Sequence, residues 1–257
     1  MNEYLSRQAR NEAEKHWLAK FSGLAARAAQ GASGRSDFLD LRQQDLARAV
    51  AVNAENIEWE LVGGYEQAER KRLLVSPPWE AEAESKITCL KITPKEFPGQ
   101  SVSHRDYLGA LLNLGLKREK LGDIVPQENG AFVFADTDIA AYLTQQLTRV
   151  KHSTVSAEII ADQDFVYHPP ELTTLQVNLA SLRLDAAVAA VYKLSRSQVD
   201  RYITSGQVRI NHLEVLKSSV AVKTGDLISV RGLGRFRLEE LGGLSRKGRQ
   251  YVQISRW

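Results

Sequence analysis

The chain has 257 residues, of which 43% are apolar and 25% are charged, and this composition is typical of globular proteins with room for two or three domains. The single cysteine, Cys89, excludes an internal disulfide, and no Cys/His pairs have zinc-site spacing. The first residues are charged where a signal peptide is apolar, and no run of about 18 apolar residues occurs. We therefore expect a cytoplasmic protein that contacts no membrane and needs no metal, cofactor or small-molecule substrate.

The net charge of +3 conceals an uneven distribution. Residues 183–257 contain 14 Lys and Arg against 6 Asp and Glu, a net charge of +8, whereas residues 1–182 contain 20 against 25, a net charge of −5. Concentrated positive charge raises the affinity for polyanions, and Arg forms bidentate contacts with phosphate. The pattern favours nucleic-acid binding by the C-terminal region; the alternative is a basic surface that is merely solvated.

Residues 1–80 are predicted to form a mainly helical α/β domain. The predicted elements are a helix around residues 17–24, a helix after Asp40, a strand at 57–62, a charged helical segment at 65–72 and a strand at 73–75. Gly63 and Gly64 serve either a close backbone approach or an ordinary hairpin turn.

Residues 84–161 are predicted to form a domain with the strand-helix-strand-strand-helix-strand order of ferredoxin-like and RNA recognition motif (RRM) folds. Many domains with this order never bind RNA. The predicted strands lie at residues 87–93, 124–125, 132–134 and 155–160, with helices from Ser103 to Gly115 and at 139–147. Residues 130–134 resemble the aromatic strand on which RRM domains stack bases, but the basic residue before the Gly is absent, so packing within the fold is favoured.

A linker is predicted at residues 162–172, because Pro169 and Pro170 cannot extend a helix or a central strand. Residues 172–257 are predicted to form the last domain. Ser195 and Gln198 have the spacing of a capping box at the start of its second helix, and Gly206 ends that helix.

This second helix is predicted to be amphipathic. At about 100° per residue, Val199, Tyr202 and Ile203 share one face, whereas Ser197 and Arg201 point away from it. The helix can therefore pack against a core and still present a guanidinium to solvent.

Five fragments in this region resemble the S4 domain, an RNA-binding module, in their order and spacing. They are Arg183-Leu184-Asp185, Ser195-Arg196-Ser197, Gly206-x-Val208-x-Ile210-Asn211, Val215-x-Lys217 and Gly225-Asp226-x-Ile228. His212 departs from the family, which usually has Gly after the Asn. Since His tolerates a positive φ, we expect the hairpin turn to persist.

Further fragments over nearly the whole chain resemble the YlmH family, bacterial proteins from cell-division gene clusters. They are Phe38-Leu39-Asp40, Gly63-Gly64-Tyr65 with Ala68-Glu69-Arg70, His104-Arg105-Asp106-Tyr107-Leu108-Gly109, Leu114-Gly115 with Arg118, and Gly122-Asp123-Ile124. The resemblance implies a multi-domain α+β protein with a ferredoxin/RRM-like middle domain and a C-terminal S4 (αL) domain. It also implies an RNA-binding protein without known catalytic activity, whose partners are rRNA and tRNA on the large ribosomal subunit in ribosome-associated quality control of stalled subunits.

The candidate RNA-binding residues belong to the S4-like region and to a basic turn that follows it. They are Arg183, Lys193, Ser195, Arg196, Ser197, Arg201, Arg209, Asn211, Lys217, Arg246, Lys247 and Arg249. Arg183, Arg196 and Arg201 are expected to contact phosphate. Ser197 and Lys217 are expected to supply hydrogen bonds or charge.

Two other functions stay open: a protein-interaction scaffold linked to cell division, and an RNA-modifying enzyme with an unrecognised catalytic domain. The sequence motifs indicate neither an enzymatic activity nor a bound cofactor. The nucleotide-binding sequences of tyrosyl-tRNA synthetases, which can carry an S4 domain, are absent. His104-Arg105-Asp106 matches the catalytic triplet of protein kinases, but the Asn that should follow it and the Asp-Phe-Gly motif are absent. The five histidines form no recognisable pair with a Ser or Cys nucleophile.

Overall fold

The computed structural model describes residues 3–80, 83–96, 102–168 and 172–257. The chain forms two compact units, residues 1–166 and residues 167–257. The first unit spans the first two predicted domains and contains two separate apolar cores. The limits predicted for the three domains stay a prediction.

In the N-terminal part of the first unit, helices pack on a small antiparallel sheet. Its elements are α1 (Glu3–Gln8), α2 (Glu12–Ala29), β1 (Gly34–Arg35), α3 (Leu41–Val52), β2 (Glu58–Val62) and β3 (Arg72–Ser76), and β3 lies between β1 and β2. Asp40 and Gln43 form a capping box that begins α3. Leu18, Phe21 and Leu46 are buried in one core, so the helical periodicity marks the faces that pack.

The segment 65–72 is not helical, so that prediction is wrong. The backbone N–H groups of Glu69 and Arg70 donate to the carboxylate of Asp123 at 2.7 and 2.9 Å. The hydroxyl of Tyr65 donates to the same carboxylate at 2.7 Å. A helix would pair these amides within the segment, whereas here an acceptor from a distant strand takes them. A tertiary contact therefore overrides the local propensity.

The middle part of the first unit has the ferredoxin-like strand order. Its elements are β4 (Ile87–Pro94), α4 (His104–Asn113), a 3₁₀ helix (Arg118–Lys120), β5 (Leu121–Gln127), β6 (Gly130–Asp136), α5 (Thr137–Gln146), β7 (Arg149–Val150) and β8 (Ser153–Ile160). The antiparallel sheet has the order β5-β6-β4-β8-β7. The predicted element order is confirmed, and β7 is an additional strand at one edge. Ser103 and Asp106 form a capping box that begins α4.

Residues from the YlmH-like fragments form the joint between these two parts. Gly64 has a φ of +90°, and a Cβ there would lie 2.5 Å from the ring of Phe134. A Cβ on Gly122 would lie 2.7 Å from the ring of Phe38. The guanidinium of Arg70 donates to the carbonyl of Phe38 at 2.9 Å. The close approach of the two parts therefore leaves no room for a side chain at Gly64 or at Gly122.

A buried ion pair crosses the same joint. The side chain of Arg72 is 1% exposed and pairs with the carboxylate of Asp136. The Nζ atom of Lys120 lies 3.2 Å from Asp136 and 2.9 Å from Asp37. Burial acts to raise the pKa of both carboxyls. Hydrogen bonds outweigh it, from Arg72 to Asp136 and from Lys120 to Asp37, and hold both pKa values below their usual range.

Acidification is expected to destabilise the first unit. A carboxyl whose pKa is lower in the folded state stabilises the fold above its unfolded pKa, and this contribution is lost as the pH falls through the folded pKa. The free energy of unfolding from urea titrations is therefore expected to fall from about pH 4 downward. In Asp37→Asn the decrease with pH is expected to be shallower; an equal decrease would contradict the role of Asp37.

The second unit is a six-stranded sheet with helices on one face. Its elements are β9 (Thr173–Leu179), α6 (Leu184–Tyr192), α7 (Arg196–Thr204), β10 (Val208–Ile210), β11 (Leu213–Glu214), β12 (Leu227–Val230), β13 (Gly234–Leu244) and β14 (Gln250–Arg256), with the sheet order β11-β10-β12-β13-β14-β9. Asn211 and His212 have φ values of 47° and 67°, so they form the hairpin turn with the positive φ expected of His212. The prolines of the predicted linker, Pro169 and Pro170, lie outside the described residues.

Within the described residues, no helix is long and apolar enough to cross a bilayer. The same residues contain no group of three or more His, Cys, Asp or Glu side chains that could hold a metal ion. Burial raises the pKa of the Cys89 thiol to about 12, so this thiol stays protonated at neutral pH.

Candidate nucleic-acid interface

Helix α7 presents a polar face to solvent. Val199 and Ile203 are buried in the core of the second unit, whereas Arg196, Ser197 and Arg201 are exposed. This confirms the amphipathic pattern predicted for the helix. Its exposed face carries two guanidinium groups that a polyanion can reach.

The junction between α6 and α7 determines where this face begins. The hydroxyl of Ser195 accepts the N–H of Gln198 at 3.3 Å, and the Gln198 side chain accepts the N–H of Ser195 at 2.9 Å, which confirms the capping box. The hydroxyls of Ser195 and Ser197 lie 3.1 Å apart. Lys193 ends α6 with a φ of 54° and has an exposed side chain. Ser195 therefore supports the helix, while Lys193 adds a cation beside its start.

Hydrogen bonds bring the segment around Lys217 next to both helices. The N–H of Asp185 in α6 donates to the carbonyl of Ser218 at 3.2 Å. The hydroxyl of Ser218 donates to the carboxylate of Asp200 in α7. These contacts place exposed residues of three segments together. We call them the helix patch: Arg183, Lys193, Arg196, Ser197, Arg201 and Lys217.

Arg183 already has a partner within the chain. Its guanidinium bonds to the carboxylate of Asp185 at 3.0 and 3.1 Å, and its side chain stays 46% exposed. Exposed ion pairs of this kind contribute about 1 kcal/mol or less to stability. A phosphate can therefore compete with Asp185 for this guanidinium.

The remaining candidates lie on the strands of the second unit and in a turn between two of them. Val208 and Ile210 face the core, so Arg209 between them points to the sheet face opposite the helices. The predicted basic turn is confirmed at the tip of the β13–β14 hairpin, where the N–H of Arg249 donates to the hydroxyl of Ser245 at 3.0 Å. This turn, the hairpin tip, carries three exposed cations: Arg246, Lys247 and Arg249.

The side chain of Asn211 is engaged inside the second unit. Its Nδ2 atom donates to the carboxylate of Asp226 at 2.8 Å, and its Oδ1 atom accepts the N–H of Leu227 at 2.9 Å. Asn211→Ala is expected to lower the free energy of unfolding of this unit by about 2 kcal/mol, because both bonds are lost and Ala is strained at this positive φ. Chemical denaturation measures the loss. Unchanged stability would mean that the turn does not depend on these bonds.

Sequence reasoning missed further cations on the outer face of this sheet. Arg235 and Arg237 alternate with the buried Phe236 and Leu238 along β13. The guanidinium of Arg237 lies 5.9 Å from the ring centre of Trp257. The period-two alternation was a sufficient signal for this basic face.

In the middle part of the first unit, the protein's own rings cover the sheet face on which an RRM domain would stack bases. The ring of Phe165 lies 5.1 Å from that of Phe132 and 4.9 Å from that of Phe134, between centroids. Tyr65 stacks on Phe134 at 4.9 Å. Phe134 is only 1% exposed, so bases cannot stack on it. The interpretation of residues 130–134 as packing residues is confirmed.

Comparison with known proteins agrees with these features. Residues 81–164 match a family model described as "Putative RNA-binding domain in YlmH", and residues 182–228 match the S4 domain. The Bacillus subtilis (strain 168) protein named ribosome-associated protein quality control protein P2 is 34% identical over 225 residues, which cover 86% of each chain. The chain belongs to the YlmH family. The resemblance found in its sequence fragments is thereby confirmed, as is the α+β fold class with a C-terminal S4 domain.

A solved structure shares the YlmH fold. The cell division protein ylmH from Streptococcus pneumoniae aligns with a TM-score of 0.52 at 19% identity, covering 62% of this chain and 98% of that chain. The S4 match contains the whole helix patch, whereas the hairpin tip lies outside both family matches.

Proposed function

We propose that this YlmH-family protein binds rRNA and tRNA on the large ribosomal subunit in ribosome-associated quality control, acting in the cytoplasm without catalysing a reaction. The helix patch carries the proposal, because Arg196, Arg201 and Lys217 are all exposed cations of the S4 region. The ribosomal setting is supported by the name of the Bacillus subtilis relative, ribosome-associated protein quality control protein P2.

Binding at this patch depends on charge. Phosphate contacts position a protein on RNA, while base or groove contacts select the site. Each neutralised phosphate is expected to lower log K by about 0.7–0.9 per unit of log salt. The net charge of +8 on residues 183–257 therefore predicts a steep salt dependence.

Ultraviolet crosslinking in growing cells, followed by sequencing of the attached RNA, tests the proposal. We expect crosslinks concentrated in large-subunit rRNA and tRNA, and far fewer in a strain that carries Arg196→Ala with Arg201→Ala. A strain with Arg48→Ala and Lys91→Ala removes two exposed cations of the first unit and serves as the matched control. Few or scattered crosslinks from the wild-type protein would contradict the proposal and favour a protein scaffold.

A further inference from the structure

A groove of about 560 Å³ lies on the helical side of the middle part of the first unit. It runs between α4 and the segment that joins α5 to β8. Its wall combines polar, cationic and backbone surfaces from Arg105, Gly109, Asn113, Thr148, Arg149 and Lys151. Neither RNA-binding position considered above includes this groove.

No contact among the described residues explains why position 109 is a glycine. It lies in the interior of α4, where Gly destabilises a helix relative to Ala. Unlike Gly64 and Gly122, it faces open space, because a Cβ at this position would meet no atom within 4 Å. A bare stretch of helix backbone is useful where a ligand must approach closely. Gly109 and its neighbours Arg105 and Asn113, each one turn away, form one stripe along the groove.

The opposite wall belongs to β7, the strand that the ferredoxin-like order does not require. Its Arg149 is exposed, as is Lys151 in the turn that follows. Lys151 has a φ of 55°, a conformation that is unfavourable for a residue with a side chain. The additional strand and the strained turn both place cations at the same groove.

The charge of the groove suits a polyanion. Asp106, its acidic residue, accepts hydrogen bonds from the N–H and hydroxyl of Ser103 at 2.9 and 2.8 Å and lies 3.8 Å from Lys151. Arg105 and Arg149 form no ion pair with any residue that the structure describes, and both are exposed. One guanidinium lies on each wall of the groove beside the bare backbone at Gly109, and guanidinium groups form bidentate contacts with phosphate.

We propose that this groove is a second RNA-binding site, which holds the sugar–phosphate backbone of an RNA strand against Gly109 while Arg105 and Arg149 contact its phosphates. The inference rests on the RNA-binding function proposed above and adds a site outside the S4 region. RNA thus binds the middle part on its helical side, since aromatic rings close the sheet side.

Substitutions at Gly109 test the close approach, with purified large-subunit rRNA as the probe in a filter-binding titration. Gly109→Ala is expected to raise the Tm of the protein by about 2–4 °C, because the helix gains propensity and loses no contact. The same variant is expected to bind the RNA more weakly, and Gly109→Leu about tenfold more weakly. A purely structural role would move stability and affinity in the same direction. Wild-type RNA affinity in folded Gly109→Leu would overturn the proposal; if that variant does not fold, wild-type affinity in Gly109→Ala has the same meaning.

Charge substitutions provide a second, independent test. Arg105→Gln with Arg149→Gln is expected to reduce the slope of log K against log salt by about 1.4–1.8, the value for two phosphates. The control Arg48→Gln with Lys91→Gln removes the same charge from α3 and from β4 and is expected to leave the slope unchanged. Equal slopes for the two double variants would overturn the proposal.

The variant Arg196→Ala with Arg201→Ala separates this proposal from the function above. If it loses affinity while the groove variants bind normally, the groove is refuted and the S4 function stands. If the groove variants alone lose affinity, the groove is supported and the helix patch is not the main contact. If the wild-type protein does not bind the RNA, both the groove proposal and the proposed function are refuted.

Discussion

Replacing Asp136 by Ala is expected to lower the free energy of unfolding of the first unit by about 3–5 kcal/mol. The substitution leaves the guanidinium of Arg72, 1% exposed, without its carboxylate partner. It also removes the acceptor of the Asp138 N–H at the start of α5, which lies at 3.1 Å. An uncompensated buried charge is among the few causes of so large a loss. Urea unfolding followed by circular dichroism measures it.

Two further variants separate the contribution of the buried ion pair from the other effects of replacing Asp136. Asp138→Ala removes an exposed carboxylate from the same helix turn and is expected to lower the free energy of unfolding by about 1 kcal/mol or less. Arg72→Leu with Asp136→Ser removes both charges, so it is expected to be more stable than Asp136→Ala alone. If Asp136→Ala loses no more than Asp138→Ala, the ion pair does not hold the joint together.

The double variant Arg196→Ala with Arg201→Ala is expected to bind large-subunit rRNA at least tenfold more weakly, with an unchanged Tm. Each guanidinium can supply a charge-assisted hydrogen bond of about 1.5–3 kcal/mol, and about 1.4 kcal/mol corresponds to a factor of ten in affinity. Both side chains are exposed, so their removal leaves no buried group unpaired. Filter binding and thermal unfolding on the same preparations give the two values.

Salt dependence adds a control to this experiment. The slope of log K against log salt is expected to be smaller in the double variant by about 0.7–0.9 for each lost phosphate contact. A folded double variant with wild-type affinity and slope would place the RNA contact away from α7. A flat slope in the wild-type protein would refute the electrostatic account altogether.

Local patterns were reliable where the physical cause is local. The capping boxes at Ser103 and Ser195 follow from a side chain and a backbone amide three residues apart, so the sequence shows both partners. The turn at Asn211 and His212 follows from the residues that tolerate a positive φ. The exposure of Ser197 and Arg201 on α7 follows from helical periodicity.

Patterns failed where the cause is a distant residue. Residues 65–72 read as a charged helical segment, but Asp123 binds two of their backbone amides and prevents the helix. The buried ion pair of Arg72 and Asp136 joins residues 64 positions apart. Nothing in the sequence around either residue distinguishes it from a charged residue on the surface.

The sequence by itself determined the family, the element order of the middle part and of the S4 region, and the concentration of positive charge after residue 182. Each of these depends on residue type and on spacing along the chain, and the amino-acid sequence contains both. Only the tertiary structure decided which cations share a surface, which aromatic rings close the sheet face, and that Gly109 faces open space. Those properties depend on which segments meet across the fold, and burial and hydrogen bonding between distant residues leave no periodic signal in the sequence.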